Sequence, residues 1–341
     1  QGAHPNAFTS EEQTVYFTAV LPEYQDRALD LLCDVMRPSL RQNDFDTEKQ
    51  VILEEIAKYD DQPPFGANEK SMAVHFKEHP LARSVLGTAE SVDALTTNQM
   101  QGYFESRYAP NNMMLAAAGN VDFDQLVRRV EKWCGEWETK PALRETPRAA
   151  ASDDFEVFFN SIATQQYVIQ IANGPAAEDD DRFAARILGT VVGDDGGSRL
   201  FWKLIDTGRA ECAVMYSYEF QGTGIFATML CGTPEDTPDN MQEILETFRL
   251  VEDEGITAAE LAQAKNKICS HIVLQSERPI NRLFSLGDNW LQHQAYRSVR
   301  DVIDSYQSVS LDDVTAVIGN YPLTKHSTVA VGPLRELRRP T

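Results

Sequence analysis

The sequence predicts an α+β protein with two duplicated α/β sandwich domains, each a mostly antiparallel sheet with helices packed on one face. The first observation behind this prediction is a long internal repeat. His79-Pro-Leu-Ala-Arg-Ser-Val85 returns as His293-Gln-Ala-Tyr-Arg-Ser-Val299, an offset of 293 − 79 = 214. Tyr108-Ala-Pro returns as Tyr321-Pro-Leu, an offset of 321 − 108 = 213. A fixed long offset indicates an internal duplication. The second observation is that both copies alternate strand-like runs with helix-period runs in the same order.

The first matched elements are a strand followed by a helix. Residues 15–18 form a strand-like run that corresponds to residues 225–228. A Pro-Glu pair follows each run and precedes apolar residues at i, i+3, i+4 and i+7, the spacing of one face of an amphipathic helix. These residues are Ala28, Leu31, Leu32 and Val35 in the first copy and Met241, Ile244, Leu245 and Phe248 in the second. We expect both stripes to face a core.

The next matched elements are helices that begin at capping residues. Thr47 and Thr257 stand at matching points, and Glu260 completes a capping box three residues after Thr257. Thr97 and Ser310 are expected to cap one more pair of helices, since 310 − 97 = 213.

A linker divides the two copies. Residues 139–154 are rich in proline, charged and small side chains, a composition typical of a linker. We therefore predict a first copy over residues 1–138 and a second over residues 155–341. Subtracting the repeat offset puts the start of the first copy about 55 residues before Gln1. The repeat thus predicts that the chain is part of a longer polypeptide.

Composition narrows the classes of function. The chain has 341 residues, a net charge of −21 and a pI of about 4.7, which argue against nucleic acid as a partner. An apolar run of membrane-spanning length is missing from the sequence, so we expect no membrane partner. The five cysteines lack CxxC spacing and are expected to be buried free thiols in a reducing compartment. The sequence does not determine the cellular compartment, and we expect a bacterial cytoplasm or periplasm.

The segment around residue 50 carries two carboxylates at helix spacing. The residues at i, i+3, i+4 and i+7 of one stripe are Glu48, Val51, Ile52 and Glu55. Burying an ionised glutamate is costly unless it is paired or binds a metal. The second copy has alanine and lysine at the matching positions, so the carboxylate pair belongs to the first copy alone. The alternative is a helix rotated so that both glutamates are solvated.

Several stretches together carry a family resemblance. In the first copy they are Asn6-Ala-Phe-Thr-Ser-Glu-Glu-Gln-Thr-Val-Tyr-Phe17, the run from Glu48 to Glu55, and His79-Pro-Leu-Ala-Arg-Ser-Val-Leu-Gly-Thr88. Tyr108-Ala-Pro-Asn-Asn and Gly196-Gly-Ser-Arg-Leu-Phe201 continue the pattern. In this order, the chain resembles the pitrilysin/insulinase family of zinc metallopeptidases, particularly the beta subunit of mitochondrial processing peptidase and its bacterial relatives.

The resemblance implies a zinc-dependent endopeptidase that cleaves peptides or unfolded segments. Zinc in this family is held by two histidines of an HxxEH motif and by a distant glutamate, which Glu55 matches. Glu48 matches an acidic residue that supports the site, and the strand Asn6-Ala7-Phe8-Thr9 would pair with an extended peptide substrate. The HxxEH helix is expected upstream of Gln1, so we expect this chain by itself to be inactive and to bind zinc weakly. A homodimer, or a heterodimer with a related subunit, would enclose the substrate.

One HxxEH pattern does occur, at His75-Phe-Lys-Glu78-His79. We interpret it as a helix end packed under a loop, because Pro80 follows at once and the second copy lacks the pattern. A zinc enzyme built on His75, Glu78 and His79 is the alternative.

The second copy departs from the family pattern. Relatives that grip substrate there have an Arg and a Tyr seven residues apart, where this chain has Ile205 and either Cys212 or Ala213. Arg209 and Tyr216 are also seven apart but would align only with an insertion. Some bacterial relatives divide the zinc motif and the Arg/Tyr pair between two subunits, and this chain could be the zinc half of such a pair. A non-catalytic scaffold or partner subunit of the same family is the alternative function, because the given residues contain no plausible HxxEH motif.

Overall fold

The computed structural model describes residues 3–142 and 144–341 and confirms a mixed α/β fold. The chain divides into two compact units, each assembled from three segments. Unit 1 consists of the residues up to Ala57, Val85–Glu145 and Leu274–Tyr296, and unit 2 of Lys58–Ser84, Thr146–Val273 and Arg297–Thr341. The copies predicted over residues 1–138 and 155–341, with a linker at 139–154, stay a prediction.

The described chain contains seven strands and twelve α-helices. In chain order they are β1 (His4–Thr9), β2 (Thr14–Ala19), α1 (Gln25–Val35), α2 (Gln42–Asp61), α3 (Ala67–Phe76), α4 (Ala89–Ala94), α5 (Thr97–Arg107), α6 (Phe123–Cys134), β3 (Phe155–Phe159), β4 (Gln166–Gly174), α7 (Arg182–Gly193), β5 (Cys212–Phe220), β6 (Thr223–Gly232), α8 (Thr237–Glu254), α9 (Ala258–Ser276), α10 (Pro279–His293), α11 (Val299–Ser308), α12 (Leu311–Asn320) and β7 (His326–Gly332). Six α-helices follow the strand pair β1–β2, and five follow the strand pair β5–β6.

In unit 1, β1 and β2 form an antiparallel pair that packs on a helix distant in sequence. Ala7 lies opposite Tyr16 in the pair. The ring of Phe284 on α10 meets Phe17 edge-on at 5.0 Å between centroids and Phe8 at 5.8 Å. Such edge-to-face contacts between aromatic rings are favourable beyond the apolar area that they bury. The Phe8–Phe17–Phe284 cluster therefore fixes α10 against this strand pair.

In unit 2, five strands form a sheet with apolar side chains on both faces. The strand order is β3-β7-β4-β6-β5, with β3 and β7 parallel and the other neighbours antiparallel. Because side chains alternate along a strand, Val168 and Ala172 of β4 face one core while Ile169 and Ile171 face the other. Most helices of the unit contribute to the first core, and α3 packs on the opposite face.

The two matched amphipathic helices differ in burial. Met241, Ile244, Leu245 and Phe248 on α8 are all buried, as their spacing predicts. On α1, by contrast, Leu31 and Val35 are 53% and 44% exposed, and only Leu29 is buried among the described side chains of that helix. The prediction of a buried stripe is thus confirmed for α8 and wrong for α1.

The structure confirms the predicted helix caps at Thr257 and Ser310. The Thr257 N–H donates to Glu260 Oε2 at 2.7 Å, which completes the predicted capping box, and Ser310 caps α12. Thr96, one residue before the predicted Thr97, caps α5. The prediction for Thr47 is wrong, because α2 already begins at Gln42 and the Thr47 hydroxyl donates to the Asn43 carbonyl within the helix.

None of the helices in the described stretches combines the length and apolar content needed to cross a bilayer.

Candidate functional site

The glutamates of α2 lie on its solvent-facing side. The buried residues of the helix are Phe45 and Ile56, which are 56 − 45 = 11 residues, or three turns, apart and so share a face. Glu48 and Glu55 are exposed, and Val51 is 50% exposed. The prediction that Glu48 and Glu55 lie on the buried stripe is therefore wrong, and the rotated-helix alternative holds. The physical reason is that solvation of two carboxylates costs less than their burial beside Ile52.

Lys49 fixes this rotation of α2. Its side chain is only 17% exposed, and its ammonium group donates to the carbonyls of Asp93 and Leu95, the latter at 3.2 Å. A buried lysine head needs such acceptors, whereas its aliphatic stem can pack on apolar surface. Lys49 thus ties α2 to the end of α4, and Glu48 and Glu55 are exposed two turns apart on one side of α2.

β1 provides an open strand edge in the same unit. Within the described residues β1 pairs only with β2, and Asn6, Ala7, Phe8 and Thr9 are all exposed. Pro5 has no N–H group and, on an edge strand, its nitrogen faces away from the partner. The alternation of an antiparallel pair then puts the Ala7 and Thr9 N–H groups on the same open edge. In agreement, the Ala7 N–H donates to the Asn6 side-chain oxygen at 2.8 Å.

His75 and His79 do not form a metal pair. Helix α3 ends at Phe76, and the following Lys77 has a positive φ of 53°. His75 is buried and contacts Ser327 Oγ at 3.0 Å through Nδ1 and Asn173 Oδ1 at 2.9 Å through Nε2. The ring nitrogens of His79 bond instead to the Leu81 N–H and the Pro147 carbonyl. Both rings are therefore used within unit 2, as the helix-end interpretation predicts.

Burial controls the charge of two histidines in unit 2. Loss of hydration lowers the pKa of His75 to about 4, although the bond to Asn173 opposes the shift and Lys77 adds to it. Burial likewise lowers the pKa of His326 to about 4, with Arg339 adding to the shift. At neutral pH both rings are uncharged and act as structural hydrogen-bonding groups.

The Gly193–Gly197 loop leads into a short helix and is held by ion pairs. Lys267 pairs with Asp194 and donates to the Gly196 carbonyl at 3.0 Å. The Ser198 hydroxyl donates to the Asp194 carbonyl at 2.6 Å and accepts from the Phe201 N–H at 3.1 Å. These bonds hold the loop as a turn into the Ser-Arg-Leu-Phe segment.

Arg199 and Glu260 form a pair that the sequence did not reveal. The Arg199 Nε donates to Glu260 Oε1 at 2.7 Å, and Nη2 donates to Oε2 and to the Gly255 carbonyl, each at 3.0 Å. The Arg199 guanidinium, helped by Thr257, lowers the pKa of Glu260 to about 2 against the opposing effect of burial. Because 260 − 199 = 61 residues separate the partners, neither local spacing nor the repeat could predict this contact.

At the two positions that depart from the family pattern, the side chains are buried or half-buried and lack guanidinium and hydroxyl groups. Ile205 is half-buried and packs against the main core of unit 2. Cys212 is half-buried at the start of β5, and Ala213 next to it is buried. Tyr216, further along β5, is 36% exposed.

The described residues do not fit a complete zinc site. No group of three or more His, Cys, Asp or Glu side chains in residues 3–142 and 144–341 is placed to hold a metal ion. Zinc takes four ligands in structural sites and three protein ligands in catalytic ones. Glu55, even with Glu48 beside it, therefore falls short of that number.

Comparison with known proteins gives the family. The model of the insulinase family, peptidase M16, matches residues 1–89, and the model of the peptidase M16 inactive domain matches residues 94–268. The chain belongs to the peptidase M16 family. An uncharacterized zinc protease of Mycobacterium leprae is 30% identical over 97% of this chain and 76% of its own length.

Two further proteins are similar to nearly the whole of this chain at lower sequence identity. A probable mitochondrial-processing peptidase subunit beta of Arabidopsis thaliana is 24% identical over 98% of this chain and 66% of its own length. The crystal structure of a peptidase M16 inactive domain from Pseudomonas fluorescens superposes with a TM-score of 0.89 at 19% identity. That match covers 100% of this chain and 83% of the other, and at this identity it supports the fold alone.

Proposed function

We propose that this chain belongs to a zinc-dependent endopeptidase of the M16 type and supplies its peptide-binding strand and part of its acidic ligand set. The observation that carries the proposal is the open edge of β1, with all four residues of Asn6–Thr9 exposed, in the same unit as the solvated Glu48 and Glu55. Membership in a family whose relatives are named zinc proteases supports it. Two duplicated copies, enclosing a peptide within a dimer, are part of this proposal.

An extended peptide would bind by adding a strand to β1. The Ala7 and Thr9 N–H groups would donate to the peptide backbone, and the alternating side chains would set its preference. The Asn6 side-chain oxygen now accepts the Ala7 N–H, so a peptide carbonyl would replace it. The net charge of −21 would favour basic peptides by long-range attraction.

Replacement of Ala7 by proline is the direct test of strand addition. Ala7→Pro removes an N–H that β2 does not use, so we expect the free energy of unfolding to change by less than about 1 kcal/mol. Binding of a fluorescent, unstructured 20-residue basic peptide should weaken by about tenfold or more, since one backbone hydrogen bond is lost and the ring obstructs the edge. Fluorescence anisotropy measures the dissociation constant.

Ala7→Ser is the matched control, because it keeps the N–H group and a small side chain. It should bind the peptide as the unsubstituted chain does. Equal affinity of the proline variant and this control would place the peptide elsewhere and refute the strand-addition model.

Glu55 is proposed as a zinc ligand and Glu48 as the residue that supports it. The two histidine ligands implied by the family would come from outside the described residues, which provide no metal-binding group of three. We expect the purified 341-residue chain to retain far less than one zinc ion and to show no peptidase activity.

The zinc proposal is tested by comparing this chain with the complete product of its own gene. Glu55→Gln should lower zinc content and peptidase activity in the complete protein and change neither in the 341-residue chain. Atomic absorption gives the zinc content, and cleavage of a quenched fluorescent peptide gives the activity. Stoichiometric zinc in the 341-residue chain, or full activity of the complete protein with Glu55→Gln, would contradict the proposed role.

A non-catalytic partner subunit is the second candidate function. Ile205 and Cys212 are half-buried apolar or weakly polar groups at the positions where substrate-gripping relatives carry Arg and Tyr. The family model that matches residues 94–268 is described as an inactive domain. An inactive complete protein that activates a related subunit on mixing would favour this function.

A further inference from the structure

Two cysteines of unit 1 lie with their sulfur atoms close together. Cys33 is in the last turn of α1, and Cys134 is the last residue of α6. Their Sγ atoms are 3.4 Å apart, and both side chains are half-buried. The expectation of buried thiols holds for Cys269 and is wrong for the other four cysteines, which are half-buried.

The helices that carry this pair are fixed to each other by a second contact. Arg129 Nη1 on α6 lies 2.5 Å from Asp26 Oδ1 near the start of α1. Asp26 and Arg129 precede Cys33 and Cys134 in their helices, so the two helices run side by side in the same direction. A disulfide has a sulfur–sulfur distance of about 2.05 Å. Small side-chain rotations on two already adjacent helices would therefore close the gap.

The charges around the two sulfur atoms differ. Burial raises the pKa of Cys33 to about 12, and Cys134, Asp30 and Asp34 add to the shift. Arg37 interacts electrostatically with Cys134, and its guanidinium carbon lies 3.5 Å from the ring centroid of Trp137. The thiolate is the reactive form of cysteine. Because ionisation of Cys33 is disfavoured, we assign the first attack on an oxidant to Cys134.

We propose that Cys33 and Cys134 form a redox site that a small disulfide oxidant, such as glutathione disulfide, converts from a dithiol to an intramolecular disulfide. The Cys134 thiolate attacks one sulfur of glutathione disulfide, whose S–S bond breaks and releases one glutathione thiolate. The deprotonated Cys33 sulfur then attacks Cys134 Sγ and releases the second. In sum, two cysteine thiols are oxidised and one glutathione disulfide is reduced to two glutathione molecules.

The disulfide would lock α1 to α6. It closes a loop of 134 − 33 = 101 residues, and long loops gain the most from such a cross-link in the chain-entropy model. Oxidation should raise the melting temperature of the chain by roughly 5–10 °C. Reduction with dithiothreitol should reverse the shift.

The test uses the full chain in a Cys212→Ser background. This substitution removes the other close pairing, because Cys212 lies opposite Cys231 in the β5–β6 ladder. The protein is incubated with glutathione disulfide, its remaining thiols are alkylated, and its peptides are mapped by mass spectrometry without reduction. A peptide pair linked through Cys33 and Cys134, with the raised melting temperature, is expected.

Two further variants sharpen the result. Cys33→Ser should stop at a mixed disulfide between Cys134 and glutathione and show no rise in melting temperature. Cys134→Ser should leave Cys33 largely unmodified. The proposal is overturned if the chain with both cysteines ends with separate glutathione adducts or free thiols and no cross-link, an outcome that mass mapping detects even if a serine variant folds poorly.

Discussion

Lowering the pH from 7 to 5 should destabilise unit 2 through its two buried histidines. His75 and His326 have folded-state pKa values of about 4, whereas an unfolded histidine has a pKa of about 6.5. Between pH 4 and pH 6.5 these two histidines are protonated in the unfolded chain but stay neutral in the folded chain. The stabilisation is therefore complete above pH 6.5 and is lost as the pH falls toward 4.

The size of the effect follows from linkage. Near pH 5 each buried histidine should contribute a slope of about 1 kcal/mol per pH unit to the free energy of unfolding. Urea unfolding followed by circular dichroism at several pH values measures the slope. Replacement of His75 by glutamine removes one titrating group, so His75→Gln should lower the slope by about 1 kcal/mol per pH unit relative to the unsubstituted chain.

His271→Gln provides the control for this prediction, because His271 is exposed on α9. It should leave the slope unchanged. If all three proteins show the same slope, the folded chain protonates His75 in this range and the hydrogen bonds to Ser327 and Asn173 do not hold a neutral ring.

The helix pair α1 and α8 shows how far the sequence could predict the fold. Spacing finds residues that share a helix face, and it found them in both helices. Burial depends on what packs against that face, which spacing does not contain. Leu31 and Val35 are therefore exposed on α1, whereas their counterparts on α8 lie in the core of a five-stranded sheet.

The candidate site likewise has features that the sequence could predict and contacts that it could not. The helical period correctly predicts that Glu48 and Glu55 lie on one side of α2. Because Phe45 and Ile56 are the residues of α2 that are buried, the side with the two glutamates faces solvent. The capping box of Thr257 and Glu260 was predictable because its partners are three residues apart. The contacts of Arg199 with Glu260 and of Cys33 with Cys134 join residues far apart in sequence, and only the fold brings them together.

Replacement of Arg199 by methionine should be among the most destabilising single changes in unit 2, by about 2–3 kcal/mol. Arg199 is 17% exposed and Glu260 28% exposed, so the change leaves a carboxylate that is largely removed from water without its cation. It also leaves the Gly255 carbonyl at the end of α8 without this donor. Urea unfolding at pH 7 measures the loss.

Lys203→Met is the matched control, because Lys203 pairs with Glu243 through one longer contact of 3.4 Å and is more exposed. A single, half-exposed ion pair contributes less than about 1 kcal/mol. If Arg199→Met costs no more than Lys203→Met, the forked hydrogen bonds add nothing to a simple ion pair. Arg199→Lys should restore little, because an ammonium group lacks the planar fork that meets both carboxylate oxygens.

The pH dependence of this pair separates its charge from its packing. Because the folded-state pKa of Glu260 is lowered to about 2, the stabilisation by Arg199 is present above the unfolded value of about 4.5 and is lost as the pH falls toward 2. Arg199→Met should remove that part of the acid profile and leave the histidine slope between pH 4 and 6.5 intact. Adding Glu260→Gln should recover part of the loss at pH 7, since glutamine can still complete the capping box with Thr257 but carries no unpaired charge. No recovery in the double variant would mean that Arg199 acts through its packing and the Gly255 carbonyl alone.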